Sequence, residues 1–222
     1  MFERNIYAYS VWDQEKLWKA TVVVVGVGGG GGIVAELLVR IGVGHIVLVD
    51  GDKFDESNLN RQIFATQNTI GINKAEAAKK RLLSINPYIN IETYSTFLST
   101  DNNIIKLYPN AIICDCADGI ENKLMVADLC AQTNNKLVTG GDGILDCFVA
   151  KFSKPSEINT HIVFKDTKDD GTIYSPNPVI VWMQASIQAY EVINSILNYN
   201  QDVDNKIQWY NLATYTNTIT EE

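Results

Sequence analysis

Cysteine and histidine are scarce in this chain, with 4 cysteines and 2 histidines among 222 residues. The cysteines, Cys114, Cys116, Cys130 and Cys147, form no CxxC pair, and Cys114 and Cys116 fall in an apolar run that reads as a strand. That excludes a disulfide framework and a paired-cysteine zinc site, so no zinc is expected. Long apolar runs are missing too: none approaches the roughly eighteen uninterrupted residues that a membrane-spanning helix needs, and no membrane partner is expected. Cationic side chains are in the minority, 18 lysines and arginines against 26 aspartates and glutamates, for a formal charge of −8. Such a balance argues against nucleic acid as a partner, because affinity for a phosphate backbone comes from clustered positive charge that releases counterions. The opening MFERNIYAYSVWDQEKL has early charges and no apolar core of signal-peptide type. It reads as part of the fold, with the cytoplasm as the expected location.

What is present is regular alternation. The β-branched run Thr21 to Val25 has the continuous apolar character of a strand buried on both faces, and it runs straight into GVGGGGG. Ile33, Leu37, Leu38 and Ile41 then recur at helical spacing, and a second apolar strand, His45 to Val49, ends at Asp50. A helix over Asn73 to Ile85 stops at Asn86-Pro87. Strands follow at Ile89 to Thr93, Ala111 to Asp115, Lys136 to Thr139 and Asp146 to Phe152, with a helix from Glu121 to Thr133 between them. This alternation predicts an α/β fold: a doubly wound, mostly parallel, Rossmann-like sheet with helices on both faces. Residues 153–178 are polar, carry Gly171, Pro176 and Pro178, and read as a long loop, the kind that often carries function. Val179 to Leu197 is helical again, and Lys206 to Ala213 reads as a last strand. The expected organisation is a single domain over 1–222: an N-terminal arm and helix at 1–20, a nucleotide-binding core at 21–152, a crossover loop at 153–178, and a C-terminal helix and strand at 179–222.

Gly26, Gly28 and Gly31 satisfy G-x-G-x-x-G between a strand and a helix, with Gly29 inside the same turn. The first glycine permits the turn, the second lets backbone N–H groups approach a phosphate, and the third allows close packing of a helix whose N-terminus faces the anion. Asp50, at the end of the second strand, is placed to accept hydrogen bonds from ribose hydroxyls. The turn alone does not say which nucleotide binds, since NAD enzymes, flavoproteins and methyltransferases use it as well.

The following segment, DGDKFDESNLNRQIFATQNTIGINKAEAAKKRL, narrows the choice. In order along the chain stand the glycine turn, D-x-D (Asp50, Asp52), S-N-L-x-R-Q (Ser57 to Gln62), I-G-x-x-K (Ile70 to Lys74) and D-x-x-D (Asp115 to Asp118). With these motifs the chain resembles the ThiF/MoeB/HesA family over residues 4 to 150, with a weaker echo at 171 to 197. That family is related to the adenylation domains of ubiquitin-activating enzymes. The resemblance implies an ATP-dependent adenylyltransferase that activates a carboxylate as acyl-AMP, most simply the C-terminal glycine of a small ubiquitin-fold sulfur carrier ending in Gly-Gly. It implies that Asn58, Arg61 and Lys74 surround the triphosphate, that Asp118 holds Mg²⁺, that Asp50 takes the ribose, and that Asp52 and Gln62 line the site. Arg4, in ERNI, stands where the family has an arginine that reaches across a homodimer into the neighbouring active site.

Many relatives carry zinc-binding CxxC pairs and a cysteine in the crossover loop; here no cysteine follows Cys147, so this loop supplies no thiolate. Cys147 itself, in LDCFVAKF, reads as a small buried hydrophobe. Gly30 and Gly32 stand where relatives carry larger residues, at a cost to the first helical turn of about 0.5–1 kcal/mol each. Asp118 has a second reading, as the cap of the helix that begins near Gly119. Three further alternatives share the motifs. They are a tRNA threonylcarbamoyladenosine dehydratase-like enzyme, a peptide-modifying adenylating enzyme, and a non-catalytic nucleotide-binding scaffold subunit. An NAD-dependent dehydrogenase has no use for S-N-L-x-R-Q followed by I-G-x-x-K.

Overall fold

The computed structural model describes residues 2–154 and 177–220. The expected crossover loop therefore lies, for residues 155–176, outside the described residues. Eight strands form one sheet in the order β3-β2-β1-β4-β5-β6-β7-β8. They are β1 (Thr21–Val25), β2 (His45–Val49), β3 (Asn90–Tyr94), β4 (Ile112–Asp115), β5 (Leu137–Asp142), β6 (Asp146–Phe152), β7 (Lys206–Asn211) and β8 (Thr216–Thr220). From β3 to β5 neighbouring strands run parallel, and from β5 to β8 antiparallel. The chain winds outward from β1 through β2 and β3, then returns to place β4 on the other side of β1. The C-terminal ends of β1 and β4 thus flank a topological switch point, where ligands of open α/β sheets bind.

The helices are α1 (Val11–Lys19), α2 (Gly29–Ile41), α3 (Lys74–Ile85), α4 (Ile120–Thr133) and α5 (Pro178–Leu197). Two apolar clusters fill the two sides of the sheet. Val22, Val24, Ile46, Leu48, Ile112 and Cys114 pack with α1, α2, α3 and α5. Val23, Val25, Val47, Val49 and Ile113 face the opposite way, onto α4 and a short 3₁₀ turn over Ile104–Leu107. Alternation of side chains along each strand explains why successive valines serve different cores. None of the described helices is long and apolar enough to cross a membrane.

Most element boundaries fall within a few residues of the sequence expectation, and the departures have local causes. The last expected strand ends at Asn211 rather than Ala213, where Asn211 Oδ1 accepts the N–H groups of Ala213 and Thr214 and turns the chain into β8. β8 was not anticipated, because TNTIT has one apolar residue and borrows its order from pairing with β7. β5 continues through Gly140 and Gly141 to Asp142 because β6 returns alongside it. α2 begins at Gly29, so that Gly30 and Gly32 lie inside its first turn. A Cβ at Gly32 would lie 3.2 Å from Ile63 Cγ2, and one at Gly30 would lie 3.2 Å from Gln184 Oε1. Close packing by the loop after Asn58 and by α5 is what offsets the weak helix propensity.

Candidate functional site

The glycine turn bends where β1 ends. Gly26 has φ +86°, and a Cβ there would lie 2.5 Å from the Cys116 carbonyl oxygen. Its N–H donates to Val49 O at 2.9 Å, and Cys116 N–H donates to Val25 O at 2.8 Å, so the ends of β2, β1 and β4 are tied together. A Cβ at Gly31 would lie 1.9 Å from Gly26 O, the closest approach of helix to turn. Gly28 is the N-cap of α2 and offers no side-chain cap. The first N–H groups of the helix are thereby left to an anion, with the helix dipole behind them.

Asp50 holds this turn. Its Oδ2 accepts Val27 N–H at 2.7 Å and its Oδ1 accepts Asp52 N–H at 2.8 Å. Burial pushes its carboxyl above the usual range, while these two N–H groups and Lys74 pull the other way. Each oxygen keeps a second lone pair, so the carboxylate retains acceptor capacity for the expected ribose contact. Lys74, the first residue of α3, is buried at 8% exposure and places Nζ 3.1 Å from Asp52 Oδ2. Asn73 caps α3 by accepting from Ala75 and Glu76 N–H, and its Nδ2 donates to the carbonyls of Asp50 and Asp52 at 2.9 and 3.0 Å. Asn73, expected as the first helical residue, is instead the cap, and an asparagine directly before a helical K-A-E is a recognisable cap signal.

The segment from Asn58 to Gln62 lies over the start of α2. The Arg61 side-chain stem would be 3.7 Å from a Cβ at Gly29, and its guanidinium donates to Ser57 O at 3.1 Å and Asn60 Oδ1 at 2.9 Å. Gln62 covers Gly28, is buried, and has an Oε1 with no partner among the described residues. Asn58 is buried and turned toward its own loop, accepting Asp55 N–H at 3.3 Å and donating to Ser57 Oγ at 3.3 Å.

Asp115 ends β4 and Asp118 follows it. Asp115 is fully buried and accepts from Thr139 Oγ1 at 2.7 Å and Ala117 N–H at 3.0 Å, with Lys123 Nζ at 3.4 Å. Asp118 is exposed; its carboxylate accepts the neighbouring Gly119 N–H at 3.0 Å, and its carbonyl accepts from Asn122 Nδ2 at 2.7 Å. The cap of α4 is Gly119, without a side-chain hydrogen bond, so the alternative of Asp118 as helix cap is corrected. Asp142, at the end of β5, was not anticipated as a site residue. It is exposed as a residue, yet its carboxyl is pushed upward by desolvating neighbours and by Asp118, with Lys123 and Arg61 acting in the opposite sense. Since Asp115 pairs with Thr139, Asp118 and Asp142 each stand three residues beyond a matched position. An acidic residue at a strand end, as at Asp50, was the available signal. Carboxylate oxygens at two neighbouring strand ends are the donor type that a hard divalent cation takes together with phosphate oxygens and water.

The described structure brings together Gly26, Gly28, Gly29, Gly31, Asp50, Asp52, Asn58, Arg61, Gln62 and Lys74 at the C-terminal ends of β1 and β2, with Asp118 beside them at the end of β4. Arg4 stands apart. It is exposed in a 3₁₀ turn whose Asn5 donates to Ile41 O at 3.3 Å and whose Phe2 approaches Gly42. That is the far end of α2, about 20 Å from the phosphate turn at 1.5 Å per residue. Cys147 is buried, and burial pushes its thiol up to about 12, as suits a packing residue.

Comparison with known proteins identifies the family and the fold. A model of the ThiF family matches residues 2–221. A probable molybdopterin-synthase adenylyltransferase of Porphyra purpurea is 32% identical over 90% of this chain and 54% of its own length. The sulfur carrier protein adenylyltransferase of Thermus thermophilus is 37% identical over 64% of this chain and 53% of its own. The chain thus spans about half the length of these curated relatives. Among solved structures, E. coli MccB with ATP superposes with a TM-score of 0.81 at 24% identity, covering 99% of this chain and 70% of that one. PaaA superposes at 0.76 and 24% identity, covering 94% and 66%. At those identities the likeness is one of fold.

Proposed function

The chain belongs to the ThiF family, and from that footing we propose that it is an ATP-dependent adenylyltransferase, activating a carboxylate as acyl-AMP with release of pyrophosphate. The observation that carries this reading is the meeting of an uncapped glycine-rich helix start with buried Lys74 and with Arg61, whose stem lies along the same helical turn. Such fixed donors and cations suit the charge that builds as a carboxylate oxygen attacks the α-phosphorus and the bond to the bridging oxygen breaks, the electron pair leaving with pyrophosphate. The chain itself contributes position and electrostatics. The α2 N–H groups, Asn58, Arg61 and Lys74 bind the triphosphate; Asp50 holds the turn and the ribose; Asp52 orients Lys74; and Gln62 offers its unpartnered oxygen to the nucleotide. Asp118 would hold Mg²⁺, with Asp142 beside it, and the cation would offset phosphate charge.

The carboxylate proposed is the C-terminal glycine of a small ubiquitin-fold sulfur carrier ending in Gly-Gly, a reading supported by the names of the Porphyra and Thermus relatives. The fit to MccB, solved with MccA at a TM-score of 0.84, favours a second reading in which the same chemistry serves a different carboxylate. A homodimer completes the proposal, because Arg4 lies too far from its own turn and would serve the partner's. Incubation with ATP, Mg²⁺ and a purified carrier ending in Gly-Gly is expected to release pyrophosphate in proportion to carrier. Release by a peptide and not by any carrier would select the second reading. For the dimer, mixing Arg4→Ala with Asp118→Ala protein is expected to restore part of the activity that each lacks alone; no recovery would place Arg4 outside the site.

A further inference from the structure

α5 is apolar over most of its length, yet Gln184 and Gln188, one helical turn apart, point into the protein with 3% and 1% of their surface exposed. Gln188 Nε2 donates to the carbonyls of Asp115 at 2.8 Å and Val138 at 3.2 Å. Its Oε1 accepts from Gln184 Nε2 at 2.6 Å and faces the Cys116 thiol at 3.7 Å. The Gln184 amide occupies a slot between glycines of two different elements. A Cβ at Gly140 in β5 would lie 2.1 Å from its Nε2, and one at Gly30 in α2 would lie 3.2 Å from its Oε1. Val181, one turn earlier, closes on Gly29 in the same way, at 2.9 Å.

We propose that Gln184 and Gln188 are positioning residues for the nucleotide site, setting the separation between the phosphate-facing start of α2 and the strand ends that lead to Asp118 and Asp142. This rests on the ATP reading above. Burying two amides in an apolar interface is unfavourable unless each finds its partners, so a helix that only covered the sheet would carry leucines there. The amides instead admit one axial register of α5. Sliding the helix by a residue would strand the carbonyls of Asp115 and Val138 and drive a side chain into Gly140. Glycine at 30 and at 140 is what makes room for the device.

The test compares Gln184→Leu, Gln184→Met, Gln188→Leu and Gly140→Ala with the unaltered protein by equilibrium dialysis of ATP, by KM and kcat for ATP in pyrophosphate exchange, and by thermal melting. A positioning role predicts at least a tenfold rise in the ATP dissociation constant and KM for Gln184→Leu and Gln184→Met. It also predicts melting temperatures within a few degrees of the parent. Gly140→Ala, which fills the slot from the opposite side, should reproduce the effect. ATP affinity at the parent value in the folded Gln184 variants overturns the inference, as does a loss that only follows the melting temperature while KM stays fixed. If Gln188→Leu fails to fold, the Gln184 pair and Gly140→Ala decide. Absence of ATP binding by the unaltered protein would overturn the adenylation reading itself, a result distinct from any difference among variants.

Discussion

Asp50 and Val27 are joined between the C-terminal ends of β2 and β1: a buried carboxylate oxygen just past β2 accepts the N–H of the residue that follows Gly26, at 2.7 Å. The other oxygen is equally committed, to Asp52 N–H. Asp50→Asn keeps the shape but turns an amide donor toward one of these N–H groups. Measured by urea denaturation without nucleotide, the variant is expected to lose about 1–3 kcal/mol, the cost of a buried donor left unmatched. Coincident transitions would show that the turn is held by its glycines alone.

Lys74 is expected to matter for rate more than for folding. It is anchored by Asp52, whose own side chain is 56% exposed, and buried Asp50 keeps its two N–H donors when the lysine is removed. Lys74→Ala should lower the rate of ATP–pyrophosphate exchange by about 10²–10³, the range seen when one fixed electrostatic donor is removed. A rate within threefold of the parent would place Lys74 outside the triphosphate site.

Asp118→Asn gives a sharper separation. The side chain caps no helix and, among the described residues, bonds its neighbour's N–H alone. Melting should therefore shift by no more than a few degrees, while exchange activity falls by about 10² or more and the Mg²⁺ dependence moves to higher concentration. A large stability loss together with an unchanged metal requirement would contradict the assignment.

Asp13 supplies a pH signature remote from the site. Hydrogen bonds from Ser10 hold its carboxyl below the usual range, with the Tyr199 hydroxyl adding at 2.9 Å. Because the folded pKa is below the unfolded one, this contribution is fully present above about pH 4 and is lost as pH falls through the folded value. Asp13→Asn should melt lower than the parent at neutral pH, and the two curves should converge on acidification below pH ~4. A gap that widens in acid would reverse the sign.

Lys151 and Glu191 form a buried pair, Nζ to Oε2 at 3.4 Å, with 2% and 1% of their side chains exposed. Lys151 also donates to Asn200 O at 2.7 Å, and Glu191 accepts from Gln208 Nε2 at 3.2 Å. Lys151→Met leaves the carboxylate unpaired and is expected to cost about 3–5 kcal/mol, whereas Lys151→Met with Glu191→Gln should recover a large part of it. Additive losses in the double variant, followed by chemical denaturation, would show that the two charges do not depend on one another.

Much of this was legible in the sequence because it is local. Five consecutive β-branched or apolar residues before a glycine turn have one good solution, a strand buried on both sides. A cap such as Asn73 or a stop such as Asn86-Pro87 acts within a few residues of itself. Motif order along the chain also named the side chains that the sheet gathers at its C-terminal edge, from Asp50 to Asp118. Tertiary structure alone decided the rest, since its causes lie far apart in sequence. β8 exists because β7 offers it a partner, and β5 reaches Asp142 because β6 draws it past its expected end. Arg4 is carried to the wrong end of α2 for its own turn. Gly30 and Gly140 look costly in isolation; they are explained only when Gln184 of α5, more than forty residues beyond Gly140, lays its amide between them.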